Sequence, residues 1–229
     1  MLERTSILHN VQVFREELQS CAMDPKNPPK LLVVTKNRPI SSILILQEAG
    51  ISEIGENHLQ EIVKKKAKLG NIFAFHMIGR LQTNKINYII SNVSMVQSVD
   101  HFRFASSIHE KSQAAGIRMP ILVQVNIGRE PQKAGVLPEE TEAFVRQCAK
   151  LPGLKVSGLM TMMPNAADFE SLRPLFRSMR ALYERLRSQA IDGVDVCELS
   201  MGMSGDWRIA AQEGATMVRI GSAIFGMRA

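Results

Sequence analysis

Eight short apolar runs, separated by segments of helical periodicity, constrain this chain more than any other feature of its sequence. They occupy residues 31–34, 51–54, 73–78, 95–99, 121–125, 156–160, 196–199 and 217–220. Runs of this length, bounded by Gly, Pro, Asn and Asp, predict buried strands. Between them the period changes to that of a helix. Leu172, Leu175, Phe176, Met179, Leu182, Tyr183 and Leu186 form an unbroken stripe that must bury one face. Phe144, Val145, Cys148 and Ala149 repeat the pattern after Pro138-Glu139-Glu140, a proline and two acids suited to a helix's first turn. Asp100 is placed to cap a segment burying Phe102, Ala105 and Ile108, and Ile40, Ile43 and Leu44 begin a helix that Gly50 ends.

Alternating strands and helices predict parallel βα units, and eight strands is the number that closes a (β/α)8 TIM barrel. The amphipathic segment 7–18 precedes the first strand, as an added N-terminal helix. It is placed to supply the outer helix lacking after the eighth, where only residues 225–229 remain. One domain over residues 1–229 is expected, without linker, low-complexity tract or duplicated half. The competing architecture is an open doubly wound sheet, but no GxGxxG follows an early strand.

Composition narrows the function classes. With 45% apolar and 22% charged residues the chain is globular rather than disordered. Cys21, Cys148 and Cys197 lack CxxC spacing, which argues against a disulfide framework or a cysteine zinc cluster and for a reducing, cytoplasmic setting. No apolar stretch is long enough for a secretory signal or a membrane span. The net charge of +6 favours anionic partners. Lys64, Lys65, Lys66 and Lys68 read as a solvated helix face, and aromatics are only 5% of residues with none among these lysines. Nucleic-acid binding is therefore not expected.

A TIM barrel carries its site at the carboxyl ends of its strands. There the runs end in Lys36, Glu56-Asn57, His76, Gly79, Asn126, Thr161, Ser200, and Arg219 with Gly221. Lys36 closes the first strand, and desolvation at an apolar rim would favour its neutral, nucleophilic amine. Lys85 and Lys133 are alternative amines. The segment from Ser200 to Asp206 leads into a predicted helix over 207–212, and Gly221-Ser222 begins a similar turn. Glycines, hydroxyls and helix N-termini after strands seven and eight suit a phosphate. Arg219 alternates against Val218 and Ile220 and should point inward, toward a ring nitrogen or carboxylate, or else pair with Glu198 or Glu213. His76 is expected to orient a neighbour, and no second histidine completes a metal pair. Met160, Met162, Met163, Met201 and Met203 read as adaptable packing.

An amine, a phosphate cradle and an arginine together suit pyridoxal 5′-phosphate. The segments 33–36, 55–57, 76–85, 158–161, 199–204 and 218–226 resemble, in order, those of the pyridoxal-phosphate homeostasis protein family, whose fold is similar to the barrel domain of alanine racemase. The resemblance runs from Leu31 to Arg228. It implies that Lys36 holds pyridoxal 5′-phosphate as a Schiff base and that Asn57 lies beside the ring. It further implies that Ser200, Ser204, Gly221 and Ser222 hold the phosphate and that Arg219 faces the pyridine nitrogen. Phe75, Arg80 and residues 127–131 depart from the family's usual pattern at the rim.

The implied role is cofactor homeostasis without turnover, in a monomer that passes the cofactor to apo-enzymes. The alternatives are an amino-acid racemase or a lysine aldolase. Racemisation needs a base on each face of the substrate carbon. Alanine racemases draw one of these from a second domain, which is not seen here, and the only tyrosines, Tyr88 and Tyr183, fall in predicted helices.

Overall fold

The computed structural model describes residues 2–226. Met1 and residues 227–229, where the far end of the resemblance falls, lie outside them. The eight expected strands are β1 (Lys30–Val34), β2 (Glu53–Glu56), β3 (Ala74–Met77), β4 (Met95–Val99), β5 (Met119–Val125), β6 (Leu154–Thr161), β7 (Val194–Ser200) and β8 (Met217–Ile220). They pair in chain order, all parallel, and β8 returns to β1 to close a barrel. The continuous apolar runs follow from this closure, because each strand buries one face in the barrel and the other beneath the helices. β2 begins later than its apolar run. Ile51 donates its amide to Leu46 O at 3.0 Å and finishes the preceding helix instead, so the ladder starts beyond it.

Around the barrel run α1 (Leu2–Cys21), α2 (Ile40–Glu48), α3 (Leu59–Leu69), α4 (Ile86–Ile90), α5 (Phe102–Ala114), α6 (Thr141–Ala149), α7 (Arg173–Ser188), α8 (Trp207–Gln212) and α9 (Ser222–Phe225). Two expected helix starts are corrected. The residue before α5 is His101, not Asp100, whose carboxylate pairs with the His101 ring at 3.0 Å. Pro138 and Glu139 precede α6 in a turn, with Glu140 at its cap, because the turn closes through Glu140 N–H to Leu137 O before helical bonding begins.

The added N-terminal helix does what the pattern predicted. Ile7, Val11, Phe14 and Leu18 are buried on one stripe, and α1 packs on α2, α8 and α9. α9 is a single turn after β8, so α1 supplies the covering layer that this short segment cannot. Phe14 meets Trp207 with ring centroids 4.4 Å apart, and Asn10 Nδ2 donates to Ile224 O at 2.9 Å. Each fully buried side chain of this stripe stabilises the seal by about 1.5–3 kcal/mol.

Candidate functional site

A cavity of about 810 Å³ opens at the carboxyl ends of the strands. Lys36, Asn57, Ser204, Arg219, Gly221 and Ser222 all line it, so barrel closure gathers residues that are up to 186 positions apart in the chain, from Lys36 to Ser222. Its charged lining residues are Lys36, Arg38, Arg80 and Arg219, all cationic. Such a mouth favours an anion. Lys85 and Lys133, the alternative amines, do not line it, and Lys133 Nζ donates to Met163 O at 3.0 Å. Lys36 is exposed at the rim, so the expected desolvation of its amine is not met; access takes its place.

Close approach of two loops shapes the wall opposite. A Cβ built on Gly79 would lie 2.0 Å from Asn57 O, so only glycine lets the turn after β3 sit against Asn57. On the far side the chain turns at Gly202 (φ 94°), and Asp206 Oδ1 accepts the Met203 amide at 2.6 Å. Burial pushes the Asp206 carboxyl above its usual range, against that hydrogen bond and the charge of Arg219. This folds residues 203–206 into a turn that presents Ser204 to the cavity. Ser222 opens α9, a single turn in which the Ile224 and Phe225 amides both donate to Gly221 O at 3.1 Å. Ser204 and Ser222 thus both line the cavity, one from each turn.

Arg219 points inward as its alternation predicted. It forms no ion pair with Glu198 or Glu213. Glu198 pairs with Lys30 and accepts Thr216 Oγ1 at 2.9 Å, while Glu213 pairs with Arg173 at 2.7 Å and Arg177 at 3.1 Å. Arg219 is 3% exposed, its guanidinium donating from Nη1 to Ser200 Oγ at 2.8 Å and from Nη2 to Thr161 O at 2.7 Å. Burial pushes its pKa down to about 10, with the Asp206 charge opposing, so it stays charged at neutral pH. Those two bonds fix its plane and leave further N–H donors of the five for the cavity.

Ser200 belongs beneath this cavity rather than on its wall. It is fully buried, and its hydroxyl accepts from Arg219 and donates to Gln97 Oε1 at 2.8 Å. Gln97 Nε2 in turn lies 2.9 Å from His76 Nδ1. Burial, helped by the charge of Lys30, pushes the His76 pKa down to about 4. The ring is therefore neutral, Nδ1 accepts, and its proton sits on Nε2. The result is a one-way spine of donors, Arg219 to Ser200 to Gln97 to His76, across the barrel interior. The resemblance implies a phosphate contact for Ser200, but its side chain turns inward, where Arg219 and Gln97 engage its hydroxyl. Asn126 and Thr161 are likewise buried. Asn126 Nδ2 donates to Glu130 O at 2.8 Å and ties a loop, Thr161 Oγ1 donates to Val125 O at 2.8 Å and joins β6 to β5, and neither residue lines the cavity.

Lys65, expected on a solvated face, is 5% exposed and ion-paired with Glu56 and Glu61. Its signal is positional: Leu59, Ile62, Lys65 and Leu69 are the buried residues of α3. Glu56, also at a strand end, joins this pair instead of the cavity. No cluster of side chains that could hold a metal ion occurs among the described residues, and no helix there is long and apolar enough to cross a membrane.

Three comparisons bear on the site. The family model of the alanine racemase N-terminal domain matches residues 3–229. A pyridoxal phosphate homeostasis protein of Aquifex aeolicus is 39% identical over 204 residues, covering 89% of each chain. One of Haemophilus influenzae is 34% identical over 229 residues, covering 97% of this chain and 96% of its own. Among solved structures, PipY of Synechococcus elongatus with PLP bound superposes with a TM-score of 0.85 at 30% identity, over 96% of this chain and all of that one. An alanine racemase of Clostridium difficile shares the fold, with a TM-score of 0.76 at 14% identity, but this chain covers only 57% of it.

Proposed function

Because the chain belongs to the pyridoxal phosphate homeostasis family, built on the barrel of the alanine racemase N-terminal domain, we propose that it binds pyridoxal 5′-phosphate reversibly and limits the free aldehyde without turning substrates over. The observation that carries this reading is one cavity in which Lys36, Arg219 and the turns bearing Ser204 and Ser222 converge. The group fits that donor set. When bound, it supplies an aldehyde that a primary amine can capture reversibly.

Each residue has a distinct task. Lys36 is the capturing amine, and its exposure lets the aldehyde reach it. Ser204, Gly221 and Ser222 hold the phosphate, and the cationic lining raises the local concentration of this anion. Asn57 lies beside the ring, its position fixed by Gly79. Ser200 acts one step back, by holding Arg219. Arg219 can only donate, so a ring nitrogen facing it must accept and remain unprotonated. That weakens the ring as an electron sink, which favours storage over racemisation. Tyr88 is 61% exposed on α4 and Tyr183 is buried in α7, and neither lines the cavity to serve as a second base. The same reading makes residues 1–229 one domain, a cytoplasmic monomer that hands the cofactor to apo-enzymes.

Borohydride reduction of the loaded protein followed by peptide mapping tests this directly. The expected adduct lies on Lys36, and purified protein should show no sustained interconversion of D- and L-alanine. An adduct confined to another lysine, or steady racemisation, overturns the proposal.

A further inference from the structure

α3 places a buried ammonium directly behind the turn that carries Lys36. Lys65 Nζ donates to Thr35 O at 2.7 Å, to Glu61 Oε2 at 2.8 Å and to Glu56 Oε1. A lysine ammonium has three N–H donors, and all three are engaged. Glu61 Oε2 also accepts the amide of Asn37 at 2.7 Å, and Thr35 Oγ1 donates to Glu56 Oε1. Asn37 sits at φ 56°, a left-handed conformation that asparagine adopts more easily than most residues.

These contacts bracket Lys36. The peptide before it offers its carbonyl, Thr35 O, to the ammonium. The peptide after it offers its N–H, from Asn37, to the carboxylate paired with that ammonium. Both are charge-assisted bonds, the stronger kind. Neither Lys65 nor Glu61 lines the cavity.

We infer that Lys65 and Glu61 form a clamp that positions the Lys36 backbone for aldehyde capture, making them positioning residues for the ligand's covalent attachment rather than for its phosphate. The inference rests on the reading of Lys36 as the capturing amine. Glu56 is the clamp's buried base. Burial holds its carboxyl above the usual range despite the bonds from Lys65 and Thr35, and its Oε2 is buried without a partner. Glu61, at the clamp's outer edge, is held below the usual range, because bonds from Lys65 and Asn37 outweigh burial. A carboxylate with that preference stays charged and keeps its hold on Asn37 at neutral pH.

The outer edge can be cut without stranding Glu56, which Lys65→Met would leave buried with no countercharge. Glu61→Ala is therefore the test, with Glu61→Gln as the conservative partner that keeps an oxygen for Asn37. Dissociation constants are measured calorimetrically for pyridoxal 5′-phosphate and for pyridoxine 5′-phosphate, which has the same ring and phosphate but no aldehyde. Glu61→Ala should weaken the first about tenfold, the loss expected from a charge-assisted bond, and leave the second within about twofold. Glu61→Gln should recover at least half of that loss on a logarithmic scale. Equal loss for both ligands, or no loss for either, overturns the clamp. Borohydride mapping of the unaltered protein separates the two failures. No adduct at Lys36 overturns the capture reading and the clamp with it, whereas a normal adduct with an unaffected Glu61→Ala variant overturns the clamp alone.

Discussion

Replacing Ser200 by alanine separates support of Arg219 from direct contact with ligand. Ser200 is fully buried and its hydroxyl takes part in two bonds of 2.8 Å, accepting from Arg219 and donating to Gln97. Alanine removes both at once and changes little volume, so the cavity term is small. Two polar groups are then left short of a partner. Gln97 Oε1 loses its donor inside the barrel, and Arg219 Nη1 loses its acceptor while Nη2 keeps Thr161 O. At about 1–3 kcal/mol for each orphaned buried group, the loss comes to about 2–6 kcal/mol. Against a typical stability of about 5–15 kcal/mol this is large. Urea unfolding should show a lower midpoint with an unchanged m-value. Combined with Gln97→Met in a double-mutant cycle, the losses should be less than additive, because the second substitution removes an acceptor that the first had already orphaned. A Ser200→Ala protein with stability within about 0.5 kcal/mol of the original but with weakened binding of pyridoxal 5′-phosphate would refute this reasoning. It would return Ser200 to the phosphate.

Two further perturbations test the same interior. His76 is held at a pKa of about 4 against an ordinary 6.5. Between those values the unfolded chain binds a proton that the folded chain refuses. Its contribution is thus complete above pH 6.5 and lost as pH falls toward 4, by about 2.5 kcal/mol at pH 4.5. Urea midpoints at pH 7 and 4.5 should therefore fall further for the unaltered protein than for His76→Gln. The raised carboxyls of Glu56 and Asp206 act in the opposite sense and are common to both proteins. Identical pH dependence in the two would sink the assignment. Gly79→Ala would bring a methyl 2.0 Å from Asn57 O, a backbone atom with no rotamer to yield. We expect a stability loss of about 1–3 kcal/mol and at least about tenfold weaker cofactor binding by calorimetry. Unchanged affinity would mean that Asn57 does not depend on this contact.

How far the molecule was legible in its sequence depends on where the determining contact lies. The strands were readable because a parallel barrel buries both faces of each one, which writes an unbroken apolar run into the chain; β4 and β8 match their runs residue for residue. Lys36, Asn57, Ser204, Arg219, Gly221 and Ser222 were readable because a strand's carboxyl end is a position along the chain, and closure alone brings such positions together. Ser200 was misplaced because the direction of a side chain at a strand end depends on register with its neighbours, here Met160 on β6 and Met217 on β8. Yet the spine left a trace: Gln97 stands within β4 among Met95, Val96 and Val99, and a buried amide requires partners. Lys65 was hidden by composition, since a lysine run reads as solvent-facing until the helical period is laid over it. Its partner Glu61 stands one helical turn away on α3, whereas Glu56 falls within reach because β2 delivers α3 beside the turn after β1. Both cases concern polar groups buried between elements and turned away from the cavity wall. In this barrel such groups hold Arg219 and the turn bearing Lys36, so the residues that line the cavity could be read from the chain before those that hold them.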